Sequence, residues 1–286
     1  MNVITTSLVS VLLAVLQLLF ATPNVTLQGT AEFRLEGTRF KGVEARYVQD
    51  GGDSFWDLKL STPRKDGTER ETGYLIICNE IDEHEAHVCV MDRYKPGFYR
   101  ELTEGYSQPS LVTPTVTMQQ LAGLAAQLMP VIEAGLPEGA VTVSDAENGG
   151  ETVHLVLTAD DVTPLMNAAL NTVALPVAEH IFREDHGIAF DTYWGPAIDI
   201  MDFHTTVTDG LLSCVTGLRL AAADLTFTLD GEGRITGAEG TLGIDVDTDS
   251  DGTLRLDIDI AGTISDYGDS HVDTFDPAVY NVLPFT

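Results

Sequence analysis

Along most of the chain the hydrophobic positions recur at every second residue, the period of an extended strand with alternate side chains on opposite faces. The pattern is clearest in residues 224–273. Leu225, Phe227 and Leu229 fall on one side there, and Thr226, Thr228 and Asp230 on the other. Leu242, Ile244 and Val246 share a face, as do Leu254, Leu256, Ile258, Ile260 and Ile264, while Asp245, Asp247, Arg255, Asp257 and Asp259 lie opposite. One dry side and one acidic side indicate an antiparallel meander solvated on one face, since a parallel sheet buried on both sides would read as unbroken apolar runs. Gly237, Gly240, Gly243 and Gly262 inside these strands predict bends and strong curvature. Pointing Val246 and Leu256 the same way requires an odd loop, read as Ser250, Asp251 and Gly252, with Asp247 then opposite Arg255 and Asp245 opposite Asp257.

The same period opens the chain, where Val25, Leu27, Gly29, Ala31, Phe33 and Leu35 alternate with polar neighbours. Further strands are predicted at 39–49, at 54–61 with Trp56, Leu58 and Leu60 on one side, and at 72–79 paired with 86–93. Turn chemistry at Asp50-Gly51-Gly52 and Lys65-Asp66-Gly67 separates them. A strand pair is expected at 141–144 and 152–157, and another strand at 213–220. Helical spacing takes over elsewhere. Residues 3–21 are mostly apolar, with small and polar side chains gathered in one arc, which reads as a packed helix or as the remnant of a leader or anchor. Thr117 and Gln120 fit a capping box before Met118, Leu121, Leu124, Leu128 and Ile132, and another long helix is predicted from about 160 to 182. Residues 183–209 show no period. The expected class is α+β: a strongly curved antiparallel sheet, an open half-barrel, with long helices packed in or over its concave face. Residues 1–22 form the N-terminal apolar helix and 23–286 a single domain.

Charge narrows the function classes. Fifteen Lys and Arg stand against 44 Asp and Glu, a formal net charge of -29. Such a field disfavours nucleic acid and anionic membrane surfaces as partners. Cys78, Cys89 and Cys214 are too few for a disulfide scaffold; Cys78 and Cys89 flank a hairpin turn and read either as cross-strand disulfide partners or as buried thiols. Asp247, Asp249, Asp251 and Gly252 open like a calcium loop, but Ile258 stands where the closing carboxylate belongs, so the run reads as a hairpin turn. Cys78, His84, His87 and Cys89 have no usual zinc spacing, and His84-Glu85-Ala86-His87 is one residue short of a metalloprotease motif. No nucleophile elbow frames a serine. The expectation is a protein that is not an enzyme, with no cofactor, metal or catalytic residue.

The helix ahead of NVTLQGTAEFRLEG, the hairpin DLTFTLDGEGRITGAEGTL and the closing ISDYGDSHVDTFDP together resemble the LolA-like superfamily, which includes bacterial lipoprotein carriers and lipid-binding lipoproteins. The resemblance implies an extracytoplasmic binding protein that holds a lipid, acyl chain or other apolar ligand in the hollow of its sheet. Its partner would be a lipid or a lipid-modified protein, with peripheral membrane association. The chain lacks the lipobox cysteine of lipoprotein relatives. Residues placed to line the hollow are Phe33, Trp56, Leu121, Leu124, Leu128, Met129, Leu242 and Ile258. The alternative is a structural or regulatory ectodomain with a filled core, acting through protein contacts.

Overall fold

The computed structural model describes residues 11, 14, 22, 24–82, 85–94, 98–102, 135–146, 149–164, 167, 215–249, 252–276, 278 and 281–282. The strands, in chain order, are β1 (Asn24–Leu35), β2 (Thr38–Asp50), β3 (Asp53–Pro63), β4 (Glu69–Asp82), β5 (Glu85–Asp92), β6 (Phe98–Leu102), β7 (Val141–Asp145), β8 (Glu151–Leu157), β9 (Val215–Leu229), β10 (Ile235–Thr248), β11 (Gly252–Ser265) and β12 (Asn281–Val282). Their order in the sheet is β12-β6-β5-β4-β3-β2-β1-β11-β10-β9-β8-β7. β12 runs parallel to β6, whereas β2 to β6 pair antiparallel in succession and so do β7 to β10.

This architecture corrects the α+β expectation. Among the described residues there is no long helix: a 3-10 turn at Ala159–Asp161 and the helical residues Val11, Ala14, Gly135, Pro164 and Asn167 stand beside long antiparallel strands. Near the expected start of the second long helix, Thr158 closes a short turn on Asp161 through its hydroxyl and amide and Val162 is extended. Pro164 and Asn167 are then helical, with the Asn167 amide donating to the Thr163 carbonyl at 3.2 Å, and residues 168–182 lie outside the described residues. The helix expected around Thr117 lies outside the described residues, as does all but two positions of residues 1–21. No helix among the described residues is long and apolar enough to cross a membrane.

The chain divides into two compact units, each assembled from separate stretches of sequence. Unit 1 comprises Met1–Ala21, Phe33–Arg39 and Leu111–Ala261. Its buried centre is Ala140, Leu157 and Ala223, with Leu136, Leu155, Leu220, Leu225 and Leu242 against them. The register explains this grouping: Leu157 faces Ala223, Ala223 faces Leu242, and Leu155 faces Leu225. Beyond them the apolar parity of β9 slips from odd to even positions, from Ala223 to Leu220 and Leu218. A bulge absorbs the slip, because Gly243 pairs with Ala222 but Ile244 with Leu220. The Leu220 amide at this irregularity donates to the Asn167 side chain at 2.9 Å.

Unit 2 comprises Thr22–Glu32, Phe40–Ser110 and Gly262–Thr286. Tyr47, Trp56 and Ile76 fall in one cross-strand row, and Val48, Phe55 and Ile77 in the next, with side chains on the other face. Cys89 pairs with Ile77 rather than with Cys78, so the two thiols point to opposite faces; both are buried and neither is in a disulfide. This decides between the two readings of the cysteines. An irregular segment from Gly268 to Phe275 lies against this unit through side-chain anchors. Asp50 accepts from Asn24 at 2.7 Å, from His271 at 2.9 Å and from the Val272 amide at 3.4 Å. Ser270 donates to the Gln49 carbonyl, and the Phe275 amide to Asn79 at 3.2 Å. Phe275 then caps a buried cluster with Cys89 and Met91, backed by Leu75 and Ile77.

Burial differs sharply between hairpins and the middle of β11, and this gives a test. Leu229, only 2% exposed, should cost about 2–5 kcal/mol when cut to alanine. Ile258, half-buried on β11, should cost clearly less on Ile258→Ala. Paired urea denaturation midpoints measure the difference.

Candidate functional site

In unit 1 the strands sort their side chains into two unlike faces. On the apolar face, Leu254, Leu256, Ile258 and Ile260 follow one another along β11, and all four are half-buried, neither sealed nor bare. Leu242 and Ile244 of β10 and Phe33 and Leu35 of β1 are half-buried as well. A row of branched aliphatic side chains that keeps part of its surface open can take a flexible apolar chain along its length. It offers no group able to do chemistry.

The opposite face is a cross-linked set of charges. The Arg34 guanidinium pairs with Asp259, which also accepts from the Thr241 hydroxyl at 2.7 Å. Arg255 donates to Asp257 at 2.7 Å and reaches Asp245 at 3.4 Å. Arg219 donates to Asp247 at 3.0 Å and to Thr253 at 3.3 Å, and Thr253 donates in turn to Asp247 at 2.6 Å. These contacts place Asp247 beside Thr253 and Asp245 beside Arg255. The expected opposition of Asp247 to Arg255 and of Asp245 to Asp257 is therefore shifted by two residues. The cause is the loop: β10 ends at Thr248 and β11 begins at Gly252, so the turn spans 249–251 and Gly252, at φ 76°, joins the strand. The shift by two preserves both faces and sets an arginine between the two carboxylates that were expected to repel. Gly243 lies beneath this arginine, where a Cβ would overlap the guanidinium. The carboxyl of Asp259 is held below the usual carboxylate range, first by the Thr241 hydroxyl and then by the Arg34 charge, against the opposing effect of burial.

Of the residues expected to line a hollow, Phe33, Leu242 and Ile258 fall in unit 1 and Trp56 in unit 2. Leu242 packs on the Ala140, Leu157 and Ala223 cluster. Phe33 and Ile258 directly precede the paired Arg34 and Asp259, and by alternation point to the apolar face. Trp56 lies against Tyr47, ring centroids 4.2 Å apart, and burial pushes the Tyr47 hydroxyl up to about 12. Leu121, Leu124, Leu128 and Met129 lie outside the described residues. The metal candidates do not converge. Cys78 and Cys89 point to opposite faces; His87 Nε2 sits 3.9 Å from Cys89 Sγ, and His84 lies outside the described residues. Among the described residues no group of three potential ligands could hold a metal ion. The sequence reading missed Arg34, Arg219, Thr241 and Thr253 as members of the charged face. Arg34, Thr241 and Thr253 carried a signal as parity, since each sits in phase with the acidic positions of its strand, whereas Arg219 is out of phase with Asp224 and joins the charged face only through the bulge.

No protein-family model matches the chain, and no curated protein matches it by sequence. Among solved structures it is similar to a DUF1329 family protein from Desulfovibrio piger ATCC 29098, with 8% identity across 98% of each chain and a TM-score of 0.24. A likeness of that degree carries no argument about activity or ligand.

Two tests follow from the charged face. The depressed Asp259 pKa means that its contribution to stability is complete above the unfolded-state value of about 4 and is lost as pH falls through the lower folded-state value. Wild type should therefore exceed Asp259→Asn in melting temperature at pH 7, and the gap should close in acid below about pH 4. The glycines should also separate. At Gly240, φ 142°, a Cβ would strike the Asp224 carbonyl, so Gly240→Ala should cost about 1–3 kcal/mol. Gly243→Ala displaces only the movable end of Arg255 and should cost less than about 1 kcal/mol in the same urea titration.

Proposed function

We propose that the chain is a non-enzymatic, extracytoplasmic binding protein of LolA-like type that holds an acyl chain or similar apolar group against the apolar face of unit 1. The observation that carries this reading is the half-buried run Leu254, Leu256, Ile258 and Ile260, continued by Leu242, Ile244 and Phe33 on neighbouring strands. Each methylene laid on such a surface contributes ~0.8 kcal/mol when fully withdrawn from water, so a long chain gains enough to offset the loss of its freedom. The charged face supports the reading differently. Its arginine and threonine contacts tie β1, β9, β10 and β11 together without using the apolar side, which leaves that side for a ligand. The LolA-like resemblance of the sequence points to the same class and to a lipid or lipid-modified protein as partner.

The reading is tested with 1-N-phenylnaphthylamine, an uncharged fluorescent reporter of apolar sites. The wild-type chain should bind it saturably, and Ile258→Asn should weaken binding by about tenfold, equivalent to ~1.4 kcal/mol. The variant should keep its circular dichroism spectrum, because Ile258 is not sealed in the core. Absence of saturable binding by wild type would remove this reading and leave the structural or regulatory ectodomain with a filled core.

A further inference from the structure

We infer that the apolar face of unit 1 takes an amphiphile with a positively charged head, a long-chain amine or ammonium, in preference to one with an anionic head such as a fatty acid. This rests on the apolar-binding reading above and names the ligand class of that same face. The argument is one of charge. Unit 1 carries 25 Asp and Glu side chains, six Arg and no Lys, a formal net charge of -19 out of the chain's -29. Its described arginines are already committed. Arg34 is held by Asp259, Arg219 by Asp247, and Arg255 by Asp245 and Asp257. Arg234 is held by Asp230 and Glu232. Arg39 is engaged as well, and Arg183 lies outside the described residues.

A carboxylate or phosphate head would need a cation to receive it, and taking one of these would break a pair and release a carboxylate beside the newcomer. A cationic head meets the reverse situation. Asp224 on β9 and Glu239 on β10 are exposed on the charged face, in register with Thr241 and Thr226, and Asp249 is exposed at the tip that follows β10, so they act on a head group through the field around the sheet and not by contact on the apolar face. Of these, Asp224 is engaged by His154 at 2.7 Å. The surplus of negative charge raises the local concentration of cations without any dedicated ligand set. The apolar face supplies affinity, and the field around it selects the sign of the head.

The experiment uses the full chain and the neutral reporter, displaced by three amphiphiles of equal chain length: an alkyltrimethylammonium, a monoacylglycerol and an alkanoate, each below its micelle concentration. At low salt the ammonium should compete about tenfold or more better than the alkanoate, with the neutral compound between them. Raising the salt to about 1 M, where the screening length is near 3 Å, should bring the three together. Neutralising Glu239→Gln and Asp249→Asn together should narrow the low-salt gap. Equal competition by all three at low salt, or preference for the alkanoate, would overturn the inference and leave the apolar-binding reading intact. Failure of the neutral reporter to bind at all would instead remove the reading on which the inference stands.

Discussion

Everything in unit 1 depends on keeping the two faces of an antiparallel ladder in phase. A strand whose register slips by one residue turns its leucines to water and its aspartates to the core, and every strand hydrogen-bonded to it must follow or break. β9 carries such a slip in its own sequence, with Leu218 and Leu220 at even positions and Ala223, Leu225 and Phe227 at odd ones. The bulge between Gly243 and Ile244 takes up the odd residue, so that Leu220 and Ala223 reach the same buried cluster. Small side chains at Ala221, Ala222 and Ala223 let the chain kink there without overpacking.

The same constraint explains which parts of the structure were legible in the sequence. β1, β8, β11 and the later part of β10 alternate, and their facing follows from that, whereas β3, β4 and β5 carry apolar residues at both parities, as in Tyr74 to Cys78 and Val88 to Met91, so their existence was legible but their facing was not. β9 was read as two pieces because its parity changes midway, which looks like a break unless a bulge is allowed for. The hairpin between β10 and β11 was placed two residues out, since parity fixes which face a side chain joins but not which residue it sits beside. The neighbour had to come from loop geometry and from the reach of Arg255 over Gly243. The long helices were expected from apolar spacing over residues whose structure is not described, whereas the described chain is overwhelmingly strand. Of the eight residues placed at a hollow, the four that are described divide three to unit 1 and one to unit 2, because facing is local information and the grouping of distant strands is not.

The arginines are few, and their positions decide how an acidic chain stays folded. In unit 1 each described arginine with a carboxylate partner bridges residues far apart in sequence or closes a turn. Arg34 joins β1 to β11, Arg219 joins β9 to the end of β10, and Arg234 folds back on Asp230 in the β9–β10 turn. These pairs are partly exposed, so each contributes little alone. Together they spread four positive charges among carboxylates that would otherwise stand side by side on adjacent strands.

The tie between Asn24, Asp50 and residues 270–272 links positions up to 246 residues apart. During synthesis the first strand and the β2–β3 turn emerge long before the segment that seals them, so this corner of unit 2 has to wait until residues 270–275 have been made. Cys89, Met91 and their neighbours remain uncovered in the meantime, until Phe275 arrives to close them. A nascent chain halted before residue 270 would therefore present a sticky surface to chaperones rather than a finished unit.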